Sequence, residues 1–121
     1  MARLEDLEVY KISMEIGNIV WNIVEKWEYF QRDTLGKQLI RVADSIALNI
    51  SEGYGRIHYK DNKNFCWYSR ASAFETQSTL AKAKESRIIS NDEFDLLKSK
   101  LDVYFKMINS YIKSIGHQYN N

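Results

Sequence analysis

Residues 90–116 read SNDEFDLLKSKLDVYFKMINSYIKSIG, and this stretch decides the fold class. Ser90 and Glu93 stand three apart as an S-x-x-E capping box, in which each side chain satisfies the other residue's backbone N–H at a helix start. Phe94, Leu97, Leu101, Tyr104, Ile108, Tyr111 and Ile115 then recur at alternating steps of three and four. That seam is one face of an α-helix, and its 3.5-residue period favours the shallow crossings of about 20° found in bundles. Gly116 stands where a C-terminal cap belongs. The pattern predicts a helix over 90–115.

Working back from it, Phe65, Tyr68, Ser72, Thr76, Leu80 and Ala83 trace one face of a helix over 61–86. Its small and polar members let a neighbour approach closely. Leu35, Leu39, Val42, Ile46 and Ile50 mark a core stripe over 34–52, with Asp33 or Thr34 as N-cap and Gly53 and Gly55 as the stop. The first helix is read over 6–30 and carries two seams. Leu7, Tyr10, Met14, Gly17, Trp21 and Val24 form one; Val9, Ile12, Ile16, Ile19, Ile23, Trp27 and Phe30 form the other. The seams lie about 200° apart around the helix. One reading is that one face packs inward and the other meets another subunit; the alternative is that this helix is the most buried member of its bundle. Short connections make successive helices antiparallel neighbours. The expected fold is an all-α, up-and-down antiparallel four-helix bundle, one domain over residues 1–121.

Composition agrees. The chain has no proline, where about six are expected at average usage. Proline breaks helix interiors, so its absence suits long helices. Seventeen basic and sixteen acidic residues leave a net charge of +1, so nucleic-acid binding would require a local patch rather than bulk charge. One cysteine, Cys66, excludes an internal disulfide. No apolar run approaches the roughly 20 residues of a membrane span. The opening MARLEDLEVY is acidic where a signal peptide carries its apolar core. The expectation is a cytoplasmic protein without membrane contact.

No catalytic, cofactor-binding or metal-binding set emerges. His58 and His117 are far apart, and there is no Cys-x-x-Cys, His-x-x-x-His or Glu-x-x-His pair, glycine-rich phosphate loop or G-x-S-x-G elbow. Cys66 reads as a small apolar residue. No cofactor and no small-molecule substrate are expected.

Two polar groupings stand out. Arg41, Ser45 and Glu52 lie along one side of the second helix, with Asn49 beside its apolar stripe, and Arg70 and Glu75 lie on the third. Polar residues in a bundle core fix register when paired. Arg41, Asn49, Glu52 and Glu75 are therefore assigned a structural role, with Asn49, Glu52, Arg70 and Glu75 expected to form hydrogen-bonded pairs; a polar ligand pocket is the alternative. The second grouping is Tyr54, Arg56, His58, Tyr59, Lys60, Lys63 and Arg70. Basic side chains contact phosphates and tyrosines stack on unpaired bases. Arg56, Tyr59, Lys60, Lys63 and Arg70 are the candidate nucleic-acid contacts, weighed against an ordinary solvated turn diluted by Glu52 and Asp61.

SIALNISEGYGR, Ser45 to Arg56, resembles the S-I-P-x-N-I-A-E-G-x-G-R signature of the four-helix bundle proteins encoded in 23S ribosomal RNA intervening sequences. LEDLEVYKIS at Leu4–Ser13, GKQLIRVADS before the signature, and Phe65, Arg70, Ser72, Glu75 and Leu80 after it are similar too. The resemblance implies a ring-like homopentamer and no known activity, since the family is named for gene location. A related fold occurs in the accessory protein of diversity-generating retroelements, a basic pentamer thought to bind nucleic acid and reverse transcriptase. Ala47 replaces the usual proline, Ile40 a common second arginine, His58 a serine and Ala71 a glycine; the missing arginine lowers the case for nucleic acid.

The leading functional expectation is a non-enzymatic, homo-oligomeric scaffold touching RNA through the 54–63 turn. The alternatives are a protein–protein adaptor or scaffold, or an accessory protein like that of the retroelements.

Overall fold

Ser90 opens the last helix as its sequence requires. Its Oγ accepts from the Glu93 N–H at 3.0 Å, and the Glu93 carboxylate accepts from the Ser90 N–H at 3.0 Å. The computed structural model describes residues 3–117. Among them are four long helices: α1 (Glu8–Val24), α2 (Lys37–Tyr54), α3 (Tyr59–Glu85) and α4 (Asn91–Ser114). A 3₁₀ turn, Leu4–Asp6, precedes α1. A short helical segment, Tyr29–Gln31, and a π turn, Arg32–Gly36, lead into α2. No strand occurs among the described residues, and no helix there is long and apolar enough to cross a membrane.

Each helix packs against its neighbours in sequence, and α4 returns to α1, so the order around the bundle is α1, α2, α3, α4. Ile16, Val20, Leu39, Ile46, Leu80, Leu97, Leu101, Tyr104 and Ile108 are buried at the centre. Each such aliphatic side chain contributes about 1.5–3 kcal/mol on burial. The α4 seam read from sequence is this core's spine.

Several sequence expectations need correction. α1 stops at Val24 rather than continuing to Phe30, and Tyr29 and Phe30 begin the next helical segment. The apolar period ran across the turn because Trp27, in the connection, still packs against the core. Gly36 makes that turn possible: a Cβ there would lie 2.7 Å from Val24 and 3.5 Å from Trp27. Neither Asp33 nor Thr34 caps a helix, because both lie inside the π turn. The Thr34 hydroxyl instead donates back to the Phe30 carbonyl at 2.7 Å, a common use of a mid-helix threonine. Finally, α3 turns a different face inward at its start. Ser69 is buried and Tyr68 exposed, where the sequence pattern placed Tyr68 in the core seam. Small hydroxyl residues replace apolar ones along this helix, so hydrophobicity alone does not mark its inner face.

The helix ends differ in mechanism. Gly53 lies within α2 and ends nothing; a Cβ there would lie 2.9 Å or less from Asn62 and Phe65, so it admits α3 at close range. Gly116 after α4 adopts φ +85°, the left-handed form expected of it. Arg87, at φ 60°, closes α3: the Arg87 N–H donates to the Lys84 carbonyl and the Ile88 N–H to that of Ala83, both at 3.1 Å. These are the two bonds of a Schellman motif, with arginine where glycine is usual.

Candidate nucleic-acid interface

The α2–α3 turn and the outer face of α3 carry the candidate contacts. His58 stands at the N-cap of α3 without a side-chain cap bond. Arg56 donates to Glu52 at 2.8 Å and lies 4.8 Å from the centroid of the Phe65 ring. An exposed ion pair of this kind is worth at most about 1 kcal/mol, so the guanidinium exchanges readily for a stronger anion. Tyr59 is directed toward the end of α4, where a Cβ on Gly116 would lie 3.1 Å from its ring. Lys60 is exposed and Lys63 half-buried, and neither forms an ion pair among the described residues.

Arg70 sits two turns further along. Its guanidinium carbon lies 5.7 Å from the Trp67 centroid and 5.0 Å from that of Phe74, and Phe74 in turn stacks on Phe105 of α4 at 4.6 Å. At 100° per residue, Lys60, Lys63, Trp67, Arg70 and Phe74 fall within an arc of about 80°. They form one basic and aromatic stripe about 21 Å long over the α3–α4 seam. Trp67 and Phe74 escaped the sequence reading; their spacing of three and four from Arg70 was the signal available.

The residues assigned to register behave otherwise. The Asn49 amide donates to the Ser45 carbonyl and hydroxyl on its own helix, at 2.9 and 3.2 Å. Glu52 is occupied by Arg56. Arg41 and Glu75 are exposed and have no ion-pair partner among the described residues. The helix-to-helix bonds come instead from Ser72 to Ser45 at 3.1 Å, Ser69 to the Ile46 carbonyl at 2.7 Å, and Ser69 with the Tyr104 hydroxyl at 2.6 Å. Short hydroxyls serve here because long polar side chains would hold the helices apart.

A model of the family described as 23S rRNA-intervening sequence protein matches residues 5–110. The chain belongs to this family. Its fold is also similar to that of a Bacteroides thetaiotaomicron protein described as of unknown function from the S23 ribosomal protein family. The TM-score is 0.78 at 22% identity, over 88% of this chain and 99% of that one. At that identity the likeness speaks for the fold. No curated protein matches the chain.

Within this intervening-sequence family fold, no group of three or more His, Cys, Asp or Glu converges among the described residues. Burial pushes the Cys66 thiol up to about 12, so at neutral pH it is protonated and a poor nucleophile. An open cavity of about 590 Å³ lies between the π turn and the end of α3, lined by Phe30, Gln31, Thr34, Leu35, Lys82 and Ile88 among others. The Gln31 carboxamide oxygen is buried without a partner.

Proposed function

We propose that the chain is a subunit of a non-enzymatic, homo-oligomeric scaffold, the homopentameric ring that its family resemblance implies, and that the ring repeats the Arg56, Tyr59, Lys60 and Lys63 turn as a contact for RNA. The observation that carries the assembly is the placement of exposed apolar side chains on two opposite seams. Met14, Trp21 and Leu48 lie on the α1–α2 side, with Trp21 53% exposed, while Trp67 and Phe74 lie on the α3–α4 side. Clustered exposed apolar surface marks an interaction site. Two unlike patches on different sides of one subunit suit a head-to-tail contact, the kind that closes into a ring when the rotation between copies completes a turn.

Repetition is what makes the turn adequate for RNA. One copy offers a few cations at near-neutral net charge, whereas several copies on one ring bind with avidity. A native mass spectrum of the protein from its own cells at low salt tests both parts. A pentamer with nuclease-sensitive extra mass supports the reading; a monomer overturns it. Replacing Arg56, Lys60 and Lys63 together by alanine then weakens RNA binding and flattens its salt dependence, by about 0.7 in the log–log slope per lost contact to a single strand. Unchanged binding removes the turn from the site.

Ile57, 90% exposed at the tip of the turn, favours a second reading. An apolar side chain there fits a protein partner, and the scaffold is then an adaptor. A clean oligomer free of nucleic acid is its signature.

A further inference from the structure

Two oppositely charged side chains at the helix seams, Asp44 and Arg70, have no ion-pair partner among the described residues, and they face away from each other. Asp44 lies in the α1–α2 groove beside Met14, Gly17 and Leu48. Its Oδ1 is 2.8 Å from where a Gly17 Cβ would stand, so the carboxylate rests on the bare backbone of α1. It has no ion pair or side-chain hydrogen bond among the described residues, and desolvation raises its pKa. Arg70, on the α3–α4 seam, is held over the Trp67 and Phe74 rings. Its Nε is buried without an acceptor. A buried donor without an acceptor is costly, Asp44 is exposed but unpaired, and the two charges are complementary.

They also stand at nearly the same height. Ser69 and Ser72 of α3 bond to Ile46 and Ser45 of α2, which sets Arg70 level with the Asp44 region. Given the order of helices around the bundle, the α1–α2 and α3–α4 seams are opposite sides.

We infer that Arg70 of one copy enters the α1–α2 groove of the next and pairs there with Asp44, while Trp67 and Phe74 cover Met14, Leu48 and Trp21. This rests on the self-assembly reading and names the surface that performs it. Both sides are apolar patches with one charge at the centre, the arrangement of an interface hot spot ringed by contacts that exclude water. Because the paired groups are level, each added copy is displaced sideways with little rise along the bundle axis. A head-to-tail contact without rise closes into a ring when the rotation from copy to copy completes a full turn, whereas one with rise grows into a filament. The pairing leaves Lys60, at the far end of the stripe, and Arg56, in the turn before it, outside the contact.

The test is a charge exchange, read by native mass spectrometry and circular dichroism. Asp44→Arg and Arg70→Asp each place like charges together and weaken assembly roughly a hundredfold with helicity retained, and the double variant restores it. Single variants that assemble like the parent overturn this interface while leaving self-assembly intact. A parent chain that is monomeric at every concentration overturns the assembly reading itself. Loss of RNA binding in Arg70→Asp with assembly unchanged assigns Arg70 to phosphate and also overturns the pairing. Should a single variant unfold, the Asp44→Cys, Arg70→Cys double variant decides. The two sites of one chain are on opposite sides, so a short bis-maleimide, which spans the gap the arginine side chain leaves, must give a ladder of covalently linked copies; linked species no more abundant than from the parent chain overturn the inference.

Discussion

The Tyr104 hydroxyl lies 2.6 Å from Ser69 Oγ, and Ser69 donates its single proton to the Ile46 carbonyl at 2.7 Å. Tyr104 must therefore be the donor in the first bond, and a two-bond chain ties α4 through α3 to α2. Both side chains are fully buried. Removing the acceptor strands a buried phenol, whereas removing the phenol strands nothing, because Ser69 keeps Ile46.

It follows that Ser69→Ala costs more than Tyr104→Phe. We expect about 1–3 kcal/mol for the first and about 1 kcal/mol for the second in urea unfolding. Tyr104→Phe added to Ser69→Ala should recover stability, since no orphan then remains. Equal losses from the two single variants would contradict the assigned direction of the bonds.

The two glycines near the end of α2 should respond with opposite signs. Gly53→Ala forces a methyl to 2.9 Å from the Asn62 carbonyl and from Phe65 Cβ, which only a shift of α3 relieves. A loss of about 1–3 kcal/mol is expected from such overpacking. Gly55 has φ −77° and, for an added methyl, contacts no nearer than 3.6 Å. Gly55→Ala should gain about 0.4–1 kcal/mol by restricting the unfolded chain. Thermal unfolding of the pair separates the two cases.

Arg87 holds a left-handed conformation that disfavours side chains. Arg87→Gly keeps both bonds of the Schellman motif and relieves that cost. A gain of about 0.5–1 kcal/mol is expected after the added freedom of the unfolded chain is set against it. A loss would show that the arginine side chain itself contributes to the cap.

Burial raises the Cys66 thiol from 9.0 to about 12. The folded protein thus holds this proton more tightly than the unfolded chain. The associated stability is full below about pH 9 and declines as pH rises toward 12. Tyr104, also raised by burial, acts in the same direction at still higher pH. Urea unfolding across the alkaline range should fall less steeply for Cys66→Ala than for the parent. Native Cys66 should also react with a thiol reagent far more slowly than the unfolded chain; equal rates would place the thiol at the surface.

Legibility from sequence followed chemical contrast. α4 was readable throughout because a capping box, an unbroken 3–4 seam and a terminal glycine agree. The α1–α2 boundary was not, because Trp27 keeps the apolar period going through a turn that lacks a capping side chain. α3 was readable as a helix but not in its rotation: Ser69, Ser72, Thr76 and Thr79 face inward, and hydroxyls give little signal of burial. The candidate site was legible where its residues are contiguous, at Arg56, Lys60 and Lys63. Arg70 was read as basic, but its aromatic shelf spans two turns and emerges only once Trp67 and Phe74 share its face. Glu52 and Glu75 looked like register partners because charge is visible in sequence and pairing is not.

The π turn at Arg32–Gly36 has a consequence for chain length. There the Lys37 N–H reaches the Arg32 carbonyl five residues back, so the turn carries one residue more than an α-helix would. Deleting one residue tightens that loop to ordinary pitch without rotating Lys37–Tyr54. The joint therefore works as a slack link: it can give up one residue while every side chain downstream keeps the neighbour it had.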